Sequence, residues 1–282
     1  FGFDTSEMPR VLSLALGSHA LTPLQIATGY AVFANGGYRI EPFLIDSIED
    51  VDGEKVYLSQ PLTVCRDCDN QSNTEENTAD DIDTEELENL ASNETIEEAI
   101  NIAPADIEFV TQEKELPAAP RVLDARVAYI IDSMLRDVVQ HGTGRRARAL
   151  ERTDIAGKTG TTNGPRDAWF SGYSPSVITT TWLGFDRNTP LGRNEYGGSA
   201  ALPIWLDYMQ LALTEHPEVP KQQPDGLVTV RIDPTTGLRA QPGSSNAIFE
   251  IFRAGNEPQL LETEAMAIDG TSVTEELPEE IF

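Results

Sequence analysis

Six consecutive residues, Gly157-Lys158-Thr159-Gly160-Thr161-Thr162, gather the groups best able to do chemistry in this 282-residue chain. The ammonium supplies positive charge, the hydroxyls donate hydrogen bonds, and the glycines let a ligand approach the main chain. Together they suit recognition of an anionic group. A nucleotide phosphate loop is excluded, because it needs a glycine five residues before Gly157 and that position is Arg152. Taken alone, a lysine on an edge strand is ordinarily solvated surface. Other hydrolase constellations fare worse. Ser171 and Ser199 lack the two flanking glycines of a nucleophile elbow, and His19, His141 and His216 have no metal-ligand spacing. His141, just before Gly142, reads as a residue near a helix end, where the helix dipole favours positive charge. No metal site and no cofactor site is expected.

The elements that must position this segment can be read from spacing. Thr22-Pro23-Leu24-Gln25 has the form of a capping box with proline at the first helical position, and a helix is predicted from there through Phe33 to a stop at Gly36-Gly37. Ile40 to Glu49 alternates loosely as a strand, with turn residues at 51–54 before a second run, Val56 to Leu58. Val127, Ile130, Ile131, Met134, Leu135 and Val138 line one face of a second helix, opened by Asp124 and ended by Gly142-Thr143-Gly144. Three strand-like runs follow, Asp154–Thr162, Ala168–Tyr173 and Val177–Phe185, and their tight turns imply antiparallel pairing. Ala200 to Leu213 reads as a final helix over that sheet. Val228–Ile232, the turn residues 234–237 and Leu238 predict a small appended hairpin.

The net charge of −27 is not spread evenly. Residues 67–115 hold 17 acidic residues against one basic, and residues 256–282 hold 8 against none, which leaves the remaining chain nearly neutral. Without a basic stripe there is no nucleic-acid partner to expect. Both acidic stretches have the composition of chain that buries too little apolar area to offset its ordering entropy, so 66–118 is expected to be a mobile insertion and 256–282 an acidic tail.

The order of motifs carries a family resemblance. Gly157–Asn163 and Ala168-Trp169-Phe170-Ser171-Gly172-Tyr173 stand between Gly142-Thr143-Gly144 and Gly197-Gly198-Ser199-Ala200-Ala201-Leu202-Pro203. Leu14-Ala15-Leu16-Gly17-Ser18, Leu21–Ala27 and Ala34-Asn35-Gly36-Gly37 precede them. This combination, over about residues 10–60 and 120–260, resembles the transpeptidase domain of class A, bifunctional penicillin-binding proteins, for which Lys-Thr-Gly is a known signature. The resemblance implies an α/β fold of the serine β-lactamase and penicillin-binding type, an antiparallel sheet flanked by helices with only its later part present. It implies acyl transfer on peptidoglycan stem peptides ending in D-Ala-D-Ala, and acylation by β-lactams. Lys158 and Thr161 are the expected catalytic residues, with Thr159, Gly160, Thr161 and Thr162 binding substrate.

Two further signatures of that family can be searched for exhaustively. The four lysines, Lys55, Lys114, Lys158 and Lys221, follow Asp52, Thr111, Ile155 and Glu218 by three residues, so the chain holds no Ser-x-x-Lys. Ser244-Ser245-Asn246 spells Ser-x-Asn but stands after the Lys-Thr-Gly element instead of before it. This reading therefore takes the chain as the later portion of a longer protein and expects it to be inactive by itself. The family further implies a partner in the missing N-terminal half, an upstream glycosyltransferase domain, and a place on the periplasmic side of the inner membrane. Envelope-protein partners through the acidic segments are compatible with it. The rival reading is a non-catalytic binding or scaffolding module that keeps the anion-binding half of the pocket.

Expected boundaries are 1–65 and 119–225 for the transpeptidase parts, 66–118 for the insertion, 226–255 for the hairpin extension and 256–282 for the tail. Cys65 and Cys68 are the only cysteines and allow a disulfide, half of a zinc site or a redox pair. Zinc needs about four ligands and no second pair is near, while a redox pair should open a helix after a strand. The oxidising periplasm that the resemblance implies favours the disulfide.

Overall fold

A computed structural model describes residues 1–6, 8–65 and 116–260. The expected insertion and tail fall almost wholly outside the described residues. The chain divides into two compact units, Phe1–Gln222 and Gln223–Phe282.

In the first unit, helix α1 (Pro23–Ala34) begins as its sequence predicts. Thr22 Oγ1 accepts from the Gln25 N–H at 3.2 Å and Gln25 Oε1 accepts from the Thr22 N–H at 2.8 Å, closing the capping box. Beyond it, Gly37 holds φ +108° beneath Leu123, a backbone shape that favours glycine. The strand expected from Ile40 shrinks to β1 (Ser47–Glu49), which pairs antiparallel with β2 (Lys55–Leu58). The exposed run Glu41–Asp46 has no second strand beside it among the described residues, and alternation without a ladder partner does not hold a strand. Helix α2 (Ala125–Gln140) starts on the Asp124 side chain, which accepts from the Arg126 N–H.

The sheet follows in the expected antiparallel order, β3 (Ala156–Thr161), β4 (Asp167–Tyr173) and β5 (Ile178–Gly184), with β3 at one edge. Period-two alternation sends its side chains into two layers. Ile155, Ala168 and Phe170 face a core with Leu202, Trp205 and Met209 from helix α3 (Leu202–Ala212), and the Phe170 and Trp205 rings meet edge-on at 4.8 Å. Ala156 and Tyr173, on the other face, pack with Tyr30, Phe33 and Ala34 of α1 and Leu135 of α2. A π-helical turn, Gly197–Ala201, leads into α3 and extends it toward β3.

In the second unit, β6 (Leu227–Ile232) pairs with β7 (Ile248–Arg253). The hairpin expected to return at Leu238 is corrected here. The turn does form, with Asp233 Oδ1 accepting from Thr235 and Thr236 N–H. The returning chain, however, makes a single bridge, Arg239 to Ile232, before Gln241-Pro242-Gly243 leads it away. Proline cannot donate to a ladder, so the lasting partner of β6 comes later in the chain. Ser244-Ser245-Asn246 lies in this unit, between β6 and β7.

Among the described residues no helix is long and apolar enough to cross a membrane.

Candidate active site

Lys158, Thr159, Gly160 and Thr161 all lie on β3, and Thr162 is the first residue beyond it. The ladder fixes which way their main-chain groups point. The Thr162 N–H donates to Asp167 O across the hairpin at 3.1 Å. In an antiparallel pair the inward-facing residues alternate, so Gly160 and Lys158 also face β4, while the N–H groups of Thr159 and Thr161 face the open edge, the one that no other described strand covers.

Side chains divide by face. Thr159 and Thr161 stand on the α3 side, where Thr143 Oγ1 lies 2.7 Å from Thr159 Oγ1 and the Gly197 N–H donates to Thr161 Oγ1 at 3.0 Å. Lys158 is exposed on the other face, and its Nζ donates to Thr159 O at 2.9 Å. Gly160 lies opposite Trp169, and a Cβ there would sit 3.1 Å from the Trp169 Cβ, so glycine keeps this stretch of edge flat. Thr162 differs from its neighbours. Its Oγ1 accepts from Arg166 N–H at 3.1 Å and Asp167 N–H at 2.9 Å, which fills its acceptor sites with the β3–β4 turn.

Sequence reasoning brought Lys158 to Thr162 together but did not place Thr143 and Gly197 in contact with them. Both lie in motifs that it singled out, Gly142-Thr143-Gly144 and Gly197-Gly198, and paired glycines flanking a functional strand were the available signal.

A second polar cluster lies behind the sheet. Asp132, 3% exposed, accepts from Tyr173 OH at 2.9 Å and Arg136 Nε at 2.7 Å, and Lys221 Nζ stands 2.9 Å from it. Burial first, then the Asp132 carboxylate, raises the Tyr173 phenol well above its ordinary range. Because Tyr173 pairs with Ala156, this cluster ties α2 to the root of β3. A third group, Arg152 bidentate on buried Asp154, also donates to His216 O at 2.7 Å and anchors the chain after α3 to the start of β3.

Among the described residues no group of three or more His, Cys, Asp or Glu could hold a metal. Cys65 O accepts from Tyr38 OH, and no described cysteine is free. Cys68 lies outside the described residues, so the bridge between the two stands as a prediction. Alkylation without reductant followed by mass spectrometry is expected to find neither thiol modified in protein from an oxidising compartment. Two alkylated thiols, or stoichiometric zinc, would show the pairing to be wrong.

Residues 9–210 match the family described as the penicillin binding protein transpeptidase domain, and residues 223–264 match the penicillin-binding protein 1A C-terminal domain. The chain is 46% identical to penicillin-binding protein 1A of Pseudomonas aeruginosa over 92% of its own length and 31% of the relative's. It is 37% identical to the Escherichia coli protein of the same name, over 92% of this chain and 33% of that one. The crystal structure of penicillin-binding protein 1A from Haemophilus influenzae matches with a TM-score of 0.72 at 34% identity, covering 93% of this chain and 36% of that one. The chain thus spans about a third of the length of these relatives. With the expected α/β sheet, the Lys-Thr-Gly edge strand and these matches in agreement, the chain belongs to the penicillin-binding protein transpeptidase family.

Proposed function

We propose that this chain supplies the Lys-Thr-Gly side of a peptidoglycan D-Ala-D-Ala transpeptidase. In that reaction a serine Oγ attacks the carbonyl carbon of the penultimate D-alanine, and the terminal D-alanine leaves as its amine after taking up a proton. The amine of a neighbouring stem peptide then attacks the resulting ester, forming the cross-link and returning the proton to the serine. The single observation that carries this reading is the open edge of β3, where the Thr161 N–H points outward beside the Thr159 and Thr161 hydroxyls. In this role the Thr161 N–H is an oxyanion donor, the two hydroxyls hold the terminal carboxylate, and Lys158 supplies positive potential. β-Lactams acylate the same serine because they present the same carbonyl and carboxylate.

The nucleophile belongs to a part of the protein outside this chain, since no lysine here follows a serine by three residues. A glycosyltransferase domain, a membrane anchor and a periplasmic location belong to the same proposal. So do the boundaries 1–65, 66–118, 119–225, 226–255 and 256–282. The lack of a Ser-x-x-Lys also favours one rival, a non-catalytic envelope module that binds anionic peptides.

Labelling by a fluorescent penicillin separates the two. The full-length protein carrying this chain is expected to label, and the 282-residue chain alone is not. Lys158→Ala in the full-length protein is expected to slow acylation at least tenfold, about 1.4 kcal/mol of transition-state stabilisation. A full-length protein that never labels favours the rival, and labelling of the isolated chain shows that the nucleophile has been misplaced.

A further inference from the structure

The two hydrogen bonds that tie the β3 threonine hydroxyls to groups beyond the sheet can be read by counting protons. A threonine hydroxyl carries one proton and two lone pairs, and a backbone N–H only donates. Gly197 N–H is the donor to Thr161 Oγ1, so the Thr161 proton must turn elsewhere. Thr143 and Thr159 share one proton across their 2.7 Å contact, leaving a single proton free on that pair. Thr143, Thr159 and Thr161 therefore offer two outward protons. An ionised carboxylate is an acceptor with two oxygens, whereas an ester offers a weaker and less charged pair.

Both outside groups are held firmly. A Cβ on Gly197 would come within 2.3 Å of Trp169 O and 2.6 Å of Gly160 O, so the π-helical turn can lie on β3 only with glycine at that position. A Cβ on Gly198 would sit 3.0 Å from Thr143 O, which packs that turn against Thr143 as well. The loop carrying Thr143 is fastened to α2 by the Gly144 N–H, which donates to Val138 O at 3.0 Å. Thr143 is itself exposed, at the rim and not in the core.

We infer that Thr143 is a positioning residue: its hydroxyl donates to Thr159 and, together with the Gly197 N–H on Thr161, turns the protons of both strand hydroxyls toward a substrate carboxylate. The inference rests on the transpeptidase reading above. Specificity for a free carboxylate over its neutral ester is then set by residues 16 and 36 positions away in sequence from the hydroxyls they orient. Thr143→Val keeps the shape but can no longer donate, so the Thr159 oxygen loses its donor and its proton is no longer held toward the carboxylate.

The test uses full-length protein with two probes, a penicillin bearing its free carboxylate and the methyl ester of the same penicillin. Thr143→Val is expected to lower the second-order acylation rate for the acid about tenfold, in the range for a weakened hydrogen bond to a charged group. The rate for the ester should stay within about twofold, because the ester gains little from the oriented protons. Thr143→Ser should restore the acid-to-ester ratio. The inference is overturned if Thr143→Val leaves the ratio at its wild-type value, whether both rates hold or both fall together, since a merely structural role moves the two equally. It is overturned as well if serine fails to restore the ratio while valine and serine melt alike. If the unsubstituted protein labels with neither probe, the transpeptidase reading itself falls and takes this inference with it.

Discussion

Thr161→Pro is expected to lower β-lactam acylation of the full-length protein by about a hundredfold to a thousandfold, the loss measured when one oxyanion donor is removed from an active site. The geometry makes this substitution unusually clean. Proline is tolerated on an edge strand when its missing N–H would have faced outward, and the alternation of the β3–β4 ladder points the Thr161 N–H to the open edge. The residue before it is Gly160, already in extended backbone, which is what a following proline demands. The ladder bonds to β4, made by Gly160 and Thr162, are thus preserved while the outward donor is lost. Proline also removes the hydroxyl, and Thr161→Ala accounts for that share. Alanine should cost less because it keeps the N–H. Acylation rates of wild type, alanine and proline variants, with thermal melts to check folding, give the comparison. A proline variant that acylates as fast as the alanine variant would remove the oxyanion role from this residue.

What made the Lys158–Thr162 segment legible was local: residue types in an unbroken run on a strand whose neighbours follow by tight turns. The same holds for α1, whose capping box is spelled out in Thr22-Pro23-Leu24-Gln25, and for α2, whose apolar face repeats at helical spacing from Asp124. Legibility failed where the partner is distant. Nothing near Val228–Ile232 says that its strand partner is Ile248–Arg253 instead of the chain just past the Asp233 turn. Likewise, the loose alternation from Ile40 to Glu49 has the period of a strand, but a period does not supply a partner, and only Ser47–Glu49 finds one. Thr143 and Gly197 were visible as glycine-flanked motifs, yet their contacts with Thr159 and Thr161 depend on how α2 and α3 are laid against the sheet. The buried Asp132 cluster was not anticipated at all. An aspartate followed four residues later by Arg136 reads as a solvated ion pair on a helix face, and the groups that make it a buried cluster come from β4 and from the chain beyond α3.

Asp132→Ala is expected to destabilise the fold by about 3 kcal/mol, since it removes the buried carboxylate that Arg136 and Lys221 share and leaves Lys221 with weaker acceptors such as Phe33 O. The residues left behind are Arg136 and Lys221, with side chains 27% and 17% exposed, and the Tyr173 hydroxyl, which loses its acceptor inside the sheet's α1–α2 face. At 2–4 °C per kcal/mol for a domain of this size, the melting temperature should fall by roughly 6–12 °C. Tyr173→Phe keeps both ion pairs and should cost only about 1 kcal/mol, one net hydrogen bond. The cluster also carries a pH signature. Burial and the Asp132 carboxylate raise the Tyr173 phenol above its ordinary value of 10.0, so the folded state holds that proton more tightly than the unfolded chain does. The associated stability is fully present below the unfolded value and is lost as the pH rises above it. Burial gives Tyr30 the same sign, with its phenol pushed up to about 12. Melting temperatures should therefore decline as pH climbs past 10.0, and Tyr173→Phe should soften that decline without abolishing it. An Asp132→Ala protein that melts within about 1 °C of wild type would mean that Arg136, Lys221 and Tyr173 find water or other partners at no net cost, and that the cluster does not secure α2 to the root of the Lys158 strand.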